Sequence, residues 1–449
     1  MFLIIFTDTA SNNEKRARMV DANKINEGCK LESQQTYIIL KMIDDQYKEI
    51  ENDLLFGCQV ENLPLNKLLS YAMFLGEMNS FLSGSEKCNE LIFILIKEMK
   101  GRIESKDILD LNLCDGLVYA SVILNVLSKN TGKYKKFANQ VECYVLEEIR
   151  TKLKVLSNVE QCRTEYYDLI YGASAWILYL VEFSNHSDAS TLIKDILKYL
   201  LKLTHYKQID GTIIPGWYVK FENMLSEDQK EMFPGGHCNF GLSHGIAGIL
   251  LALSLAYNKG IEIEGQKEAI SDLIVELEKR STKINNIVYW PGFLTLEEFQ
   301  TNAPLSAIQR NSWCYGNVGI LCSLYHAAKA LNKTNIITFV ENQINQLAKL
   351  KAEDHLLKSP VICHGYSGLI LLFDWASKNH ISNDLGDGIR KISNIIINLK
   401  DTEYGLSDLE INGDKRETFA VLDGAMGCIL TLASLLKDDL SFQKTVAFI

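Results

Sequence analysis

Residues 363–368 read Cys-His-Gly-Tyr-Ser-Gly and lead directly into the apolar run Leu-Ile-Leu-Leu-Phe at 369–373. The same arrangement, a glycine at the head of an apolar stretch, occurs six times. These glycines stand at positions 116, 172, 245, 316, 365 and 424, in steps of 56, 73, 71, 49 and 59 residues. Each step is long enough for two helices and their connections, so the chain is predicted to be a helical repeat protein. A weaker seventh copy starts near residues 70–72.

Two kinds of helix alternate in this pattern. The stretch after each glycine is apolar nearly all round, which is typical of a buried helix, and the stretch between copies has apolar residues on one face only. Ile389, Ile392 and Ile396 show the second pattern. Such helices can close into a double-layered ring that gathers the repeat heads at one end. The same spacing also fits an open helical solenoid. We favour the ring because it would bring together the candidate metal ligands described below.

The two longest steps contain segments that do not have a helical pattern. Residues 211–220 combine turn residues with short β-prone runs, and residues 287–293 do the same. We therefore expect a small β-containing insertion at about residues 205–240. Residues 222–236 are acidic, and this loop either covers the ring mouth, binds a peptide, or is simply solvated.

Composition excludes several classes of protein. A net charge of -10 argues against nucleic-acid binding. The eleven cysteines are an odd number without disulfide-framework spacing, which indicates a reducing, cytoplasmic location. Residues 1–6 are apolar but too few for a signal peptide or a membrane span.

A candidate metal centre comes from two repeat heads. Residues 313–316 read Trp-Cys-Tyr-Gly, so Cys314, Cys363 and His364 offer two thiolates and one imidazole. This is a three-ligand zinc set with a fourth position open, and the open position could bind a substrate thiol and lower its pKa. A fourth cysteine ligand would close the site and make it structural. The spacing also allows a mixed site in which Cys238 is one of the ligands. Taken singly, a cysteine here is more often a core residue, as we expect for Cys322, Cys428 and Cys114.

Three segments together resemble a known family. Residues 241–248 (Gly-Leu-Ser-His-Gly-Ile-Ala-Gly), 310–316 (Arg-Asn-Ser-Trp-Cys-Tyr-Gly) and 363–368 are similar to the signatures of the lanthionine synthetase C family, in the same order. The resemblance implies an all-α protein, an α/α toroid of about seven inner and seven outer helices with a small inserted β-containing region. It also implies one zinc ion per chain. Residues 61–449 would form the toroid, and residues 1–60 a helical extension without motif.

The resemblance also implies a reaction and its partners. Cysteine thiols of a dehydrated lantibiotic precursor peptide, composed of leader and core, would add to dehydroalanine or dehydrobutyrine and form lanthionine or methyllanthionine. The enzyme would be a lanthionine synthetase, or lantibiotic cyclase. A dehydratase and an ABC transporter are the implied partners, in a complex at the inner face of the membrane.

This reaction requires a proton donor as well as an activated thiol. Attack of a thiolate on an unsaturated amide produces an enolate, and His244 is the best candidate to protonate its α-carbon. The resemblance places Asp168 and Arg310 at the active site, Asp168 to orient His244 and Arg310 to stabilise enolate charge, while Tyr315 could donate a hydrogen bond. The plainer interpretations are a helix-capping His244 and a surface Arg310. Trp313 is expected to pack beside the metal.

Other functions fit parts of the sequence. A glutathione-handling relative would join separate thiols to dehydroamino acids, and a non-catalytic helical scaffold could hold a structural zinc. A glycosidase-like toroid would need two opposed carboxylates. Asp115, Asp168 and Asp423 could supply these, but the cysteines and the histidine would then have no role.

Overall fold

Fourteen long helices alternate between an outer and an inner layer. The computed structural model describes residue 25 and residues 30–449, except 58, 83–84, 160–161, 210, 306, 404, 410–414 and 417. Odd-numbered helices are outer and even-numbered helices are inner. In chain order the fourteen are α1 (Ser33–Asn52), α2 (Leu65–Met78), α3 (Ser85–Glu104), α4 (Leu117–Thr131), α5 (Lys135–Leu156), α6 (Ala173–Glu182), α7 (Ala189–Thr204), α8 (Ile246–Asn258), α9 (Gln266–Lys279), α10 (Asn317–Ala330), α11 (Thr334–Lys349), α12 (Tyr366–Lys378), α13 (Gly386–Lys400) and α14 (Ala425–Ser434).

The inner helices form a closed ring. Each even-numbered helix contacts the next one, and α14 contacts α2. In α8, for example, every residue from Ile246 to Ala256 is buried, as expected for a helix that is apolar all round. The prediction of a toroid with seven inner and seven outer helices is confirmed. In the part of the chain that the structure describes, no helix is both long and apolar enough to cross a membrane.

Helix α1, the first helix among the described residues, closes the outer layer. Each of the inner helices α2 to α12 packs on the outer helix that follows it, but the last inner helix, α14, packs on α1. Gln35 of α1 donates hydrogen bonds to the Arg390 carbonyl oxygen and to Asn394 Oδ1 of α13, both at 2.8 Å. The domain boundary at residue 60 stays a prediction. Helix α1 lies before this boundary, in residues 1–60, and is part of the outer layer. Residues 1–24 and 26–29 lie outside the described residues.

Short strands lie within residues 205–240 and 287–294, where the sequence predicted β structure, and also at 282–284 and 408–416, where it did not. Among the described residues four antiparallel pairs form, and the pairing of Cys238–Asn239 with Phe293–Leu294 joins the segment before α8 to the segment before α10. The acidic residues 222–236 contain the exposed helix Glu227–Met232. The strands are β1 (Tyr206–Ile209), β2 (Thr212–Pro215), β3 (Cys238–Asn239), β4 (Thr282–Ile284), β5 (Ile287–Tyr289), β6 (Phe293–Leu294), β7 (Asp408–Leu409) and β8 (Lys415–Arg416). Further short helices are Asp53–Gly57, Val60–Asn62, Thr164–Tyr167, Phe221–Asn223, Leu296–Thr301, Glu353–His355 and Phe442–Thr445.

The six repeat glycines allow the heads of the inner helices to pack tightly. A Cβ added at any of them would lie 2.1–2.5 Å from a heavy atom of the preceding loop. The loops before successive glycines are joined by backbone hydrogen bonds of 2.9–3.0 Å. These bonds run from Leu113 N to Ile170 O, Leu169 N to Ser243 O, Leu242 N to Cys314 O, Cys314 N to Cys363 O, and Cys363 N to Leu422 O.

The inside of the ring is filled by residues 441–449. The Phe442 N–H donates to Glu77 of α2 at 2.6 Å, and the Val446 carbonyl accepts from Trp313 Nε1 at 2.8 Å. Burial raises the pKa of Glu77 to about 7, although the Phe442 N–H and the charge of Lys437 oppose the shift. This segment therefore connects the C-terminal end of α2 to the loop that begins α10.

Alanine at Gly116 tests the packing of the repeat heads. The new Cβ would lie 2.1 Å from the Asp110 carbonyl oxygen, so backbone must move. We expect G116A to lower the free energy of unfolding by about 1–3 kcal/mol, measured as a lower thermal midpoint. The control is Gly101, an exposed position of α3 where an added Cβ meets no atom within 4 Å. G101A should be neutral or stabilising by up to about 1 kcal/mol, and equal losses from both variants would contradict this account.

The raised pKa of Glu77 predicts a pH-dependent stability. The pKa is about 7 in the folded chain against 4.5 for the free group. The contribution of Glu77 to the free energy of unfolding is therefore fully present below pH 4.5 and is lost as the pH rises through 7. Relative to E77Q, wild type should lose roughly 2–3 kcal/mol between pH 5 and pH 8, measured by urea unfolding. For E86Q, at an exposed position of α3, the free energy of unfolding should change with pH as it does in wild type. An E77Q curve parallel to wild type would refute the burial argument.

Candidate active site

Most of the predicted site residues stand at two positions of the repeat. One is the residue immediately before each glycine, and the other is the residue before that. Because the neighbouring loops are hydrogen-bonded, these positions lie together at one end of the ring. The residues immediately before the glycines are Asp115, Tyr171, His244, Tyr315, His364 and Asp423, and those one place earlier are Cys114, Ile170, Ser243, Cys314, Cys363 and Leu422.

The structure brings the predicted metal ligands together. One ligand atom each of Cys314, Cys363 and His364 lies within 4.8 Å of the other two. Tetrahedral zinc with Zn–S bonds of about 2.3 Å and Zn–N bonds of about 2.0 Å would fit ligand atoms at such separations. Among the described residues no fourth histidine, cysteine or carboxylate belongs to the group. Cys238 lies outside it, buried in β3, so the mixed site that the sequence left open does not form.

The two thiols share a hydrogen bond, and their pKa values move in opposite directions. The hydrogen bond with Cys363 lowers the pKa of Cys314 to about 5, with further lowering from the charges of Arg310 and His364, although burial opposes the shift. The pKa of Cys363 is raised by the same hydrogen bond and by burial. The lowered pKa of Cys314 favours its thiolate, which is the form that binds a metal.

Asp408 contacts one of the three ligands from outside the group, and the sequence did not predict it. Its Oδ1 lies 2.6 Å from His364 Nε2, and it also accepts a hydrogen bond of 2.9 Å from Ser359 Oγ. Asp408 is 3% exposed. It stands in β7, 44 residues beyond His364 and outside the repeat motif, so no local sequence signal marks it.

His244 and Asp168 form a second pair of the same kind. His244 Nδ1 lies 2.6 Å from Asp168 Oδ2. Asp168 is fully buried, and its other oxygen, Oδ1, accepts backbone N–H groups of Ile170, Tyr171 and Gly172 at 2.6–3.2 Å. The Tyr171 ring stacks on His244, with the ring centroids 6.1 Å apart. Asp168 thus holds the head of α6 and orients His244 at the same time.

The other predicted residues lie around these two groups. Arg310 is partly buried and close enough to lower the pKa of both Cys314 and Cys363. The Tyr315 hydroxyl accepts from Asn239 Nδ2 at 3.2 Å, and burial raises the pKa of this phenol, which therefore keeps its proton. The Tyr315 ring lies 6.3 Å from that of His244. Trp313 is 1% exposed and its Nε1 donates to the Val446 carbonyl, and its packing beside a metal stays a prediction.

Together these features define an α/α toroid with a two-thiol, one-imidazole group and a paired histidine at one end. The family described as lanthionine synthetase C-like protein matches residues 68–446, and the chain belongs to this family. The nisin biosynthesis protein NisC of Lactococcus lactis subsp. lactis is 26% identical over 350 residues, which cover 75% of this chain and 77% of that protein. The resemblance seen in the motifs is confirmed, and with it the prediction of an enzyme of the lanthionine synthetase class.

A solved structure supports the fold. Nisin cyclase matches with a TM-score of 0.73 at 23% identity, over 93% of this chain and 98% of that one. A match over 93% of the chain includes helices of both layers of the toroid.

Proposed function

We propose that the chain is a zinc-dependent cyclase that forms lanthionine and methyllanthionine rings in a dehydrated lantibiotic precursor peptide. The observation that carries the proposal is the position of two groups at one end of the toroid. Cys314, Cys363 and His364 form a three-ligand set, and His244 is held by Asp168 close by on the neighbouring loop. Activation of a thiol and delivery of a proton are the two requirements of the reaction.

The ligand set fits a catalytic metal. Cys314, Cys363 and His364 would hold one zinc ion, which would supply Lewis-acid activation of a substrate thiol by lowering its pKa. Two thiolates and a neutral imidazole balance the charge of Zn²⁺, so a third thiolate adds only one negative charge. The substrate sulfur therefore keeps its nucleophilicity.

His244 is proposed as the proton carrier. Its Nδ1 contacts Asp168, which orients the ring so that Nε2 can exchange a proton with the substrate. In the addition, the substrate S–H proton is lost, the C–S bond forms at the β-carbon, and the α-carbon gains a proton. The peptide mass is unchanged by these steps.

Arg310 and Tyr315 are proposed to stabilise the enolate. A negative charge develops on the carbonyl oxygen of the dehydroamino acid during attack, and donors placed at that oxygen lower the barrier. Arg310 is a fixed positive charge beside the thiols, and Tyr315 is a protonated phenol beside His244. Both can donate hydrogen bonds at this position.

The precursor peptide is the partner that this site requires. Rings within one peptide need its cysteines and its dehydroamino acids at the site together, and that proximity supplies part of the rate. Association with a dehydratase and an ABC transporter at the membrane remains a proposal based on the family resemblance.

Zinc content and ring formation test the proposal together. Purified wild type should contain one zinc ion per chain and should remove free thiols from a dehydrated lantibiotic precursor peptide, measured by thiol alkylation and mass spectrometry. C314A should lose both zinc and ring formation. C114A is the matched control, because Cys114 stands at the same repeat position but outside the ligand group, and it should keep both.

Other outcomes of this assay identify the alternatives. Glutathione adducts on the peptide without internal rings would favour the glutathione-handling function. Retained zinc without either product would favour the scaffold, and ring formation by C314A at the wild-type rate would refute the zinc mechanism.

Two substitutions of Asp168 separate its structural and catalytic roles. Asparagine can keep an oxygen for the three backbone N–H groups but places an amide against His244 Nδ1. D168N should keep zinc and the thermal midpoint, yet lower the cyclisation rate by about 100-fold or more. D168A should lose activity and also about 1–3 kcal/mol of stability. The control is D115A, at an exposed position at the same end of the ring, and it should change stability little. A D168N enzyme with wild-type cyclisation would contradict the assignment.

A further inference from the structure

Two histidines at equivalent repeat positions are held by aspartates through opposite ring nitrogens. His244 and His364 each stand immediately before a repeat glycine. Asp168 binds Nδ1 of His244, and Asp408 binds Nε2 of His364, both at 2.6 Å. An ionised carboxylate accepts hydrogen bonds and cannot donate them, so it favours a proton on the nitrogen that it contacts. His244 is left with Nε2 free, and His364 is left with Nδ1 free.

Asp408 is itself held in place from the repeat head. Ser359 Oγ donates to the same Oδ1 that faces His364, and the Ser359 carbonyl accepts the backbone N–H of Tyr366 at 3.0 Å. The pairing of β7 with β8 places Asp408 opposite Arg416 in the hairpin. The carboxylate is therefore attached to the loop that carries Cys363 and His364, and it is buried.

We propose that Asp408 is a positioning residue for the metal centre, which fixes the Nε2–H form of His364 so that Nδ1 is the metal-binding nitrogen. The inference rests on the proposed zinc site. A metal-bound imidazole is neutral and carries its proton on the other nitrogen, and a carboxylate partner there orients the ring and raises its basicity. The choice of nitrogen also explains why two histidines at the same repeat position differ in role, one as a ligand and the other as a proton carrier.

Zinc affinity without any peptide substrate tests the proposal. Competition with a chromophoric chelator should show that D408A binds zinc about 10–100-fold more weakly than wild type. D408N keeps an oxygen that can accept from Nε2–H, so it should lose less affinity than D408A. The control is D374N on α12, because Asp374 is buried to a similar degree, 4% exposed, and pairs with Lys378 instead of a ligand. D374N should bind zinc within about twofold of wild type.

Thermal unfolding of the zinc-free variants separates positioning from folding. The affinity loss in D408A should exceed that in D374N even where the two zinc-free midpoints fall equally, and D408N should restore part of it. Should D408A fail to fold, the comparison of D408N with D374N decides the question. Wild-type affinity in both Asp408 variants would overturn the proposal, as would equal losses in D374N. A wild-type chain that binds zinc but forms no rings would refute the proposed reaction and leave the role of Asp408 intact.

Discussion

The backbone hydrogen bonds between the repeat heads are the interaction on which the rest of the structure depends. Five bonds link six loops in series, and each loop directly precedes an inner helix. They can form only because a glycine follows each loop, since any side chain there would collide with the preceding turn. The bonds bring residues that are 49–73 positions apart in the sequence into adjacent places at one end of the ring.

This arrangement makes the chemistry depend on which residue occupies a fixed place in each repeat. Cys314 and Cys363 occupy the same place in neighbouring repeats, so their sulfurs lie within 4.8 Å of each other. Cys114 has the same place in its own repeat, but its neighbour is Ile170, and it remains outside the metal group. His244 and His364 likewise share a place, and the aspartate that contacts each ring determines which nitrogen is available.

The parts of this structure that the sequence predicted are those encoded within one repeat. The glycines, the apolar inner helices and the ligand positions are local patterns, and a ring follows once neighbours pack in order. Other features depend on contacts between distant segments. Helix α1 precedes the other described helices yet closes the outer layer against α14, and residues 441–449 return to contact Trp313. Asp408 reaches His364 from a hairpin without repeat character, so its role is visible only in the folded chain.

The central claim is that three side chains hold one zinc ion with a position open to substrate sulfur. Zinc K-edge X-ray absorption of the purified protein tests it directly, because sulfur and nitrogen or oxygen neighbours scatter differently. The account predicts two sulfur neighbours at about 2.3 Å together with lighter atoms, and a third sulfur when the dehydrated precursor is added. Four sulfurs in the protein alone, or a first shell that the peptide leaves unchanged, would contradict it.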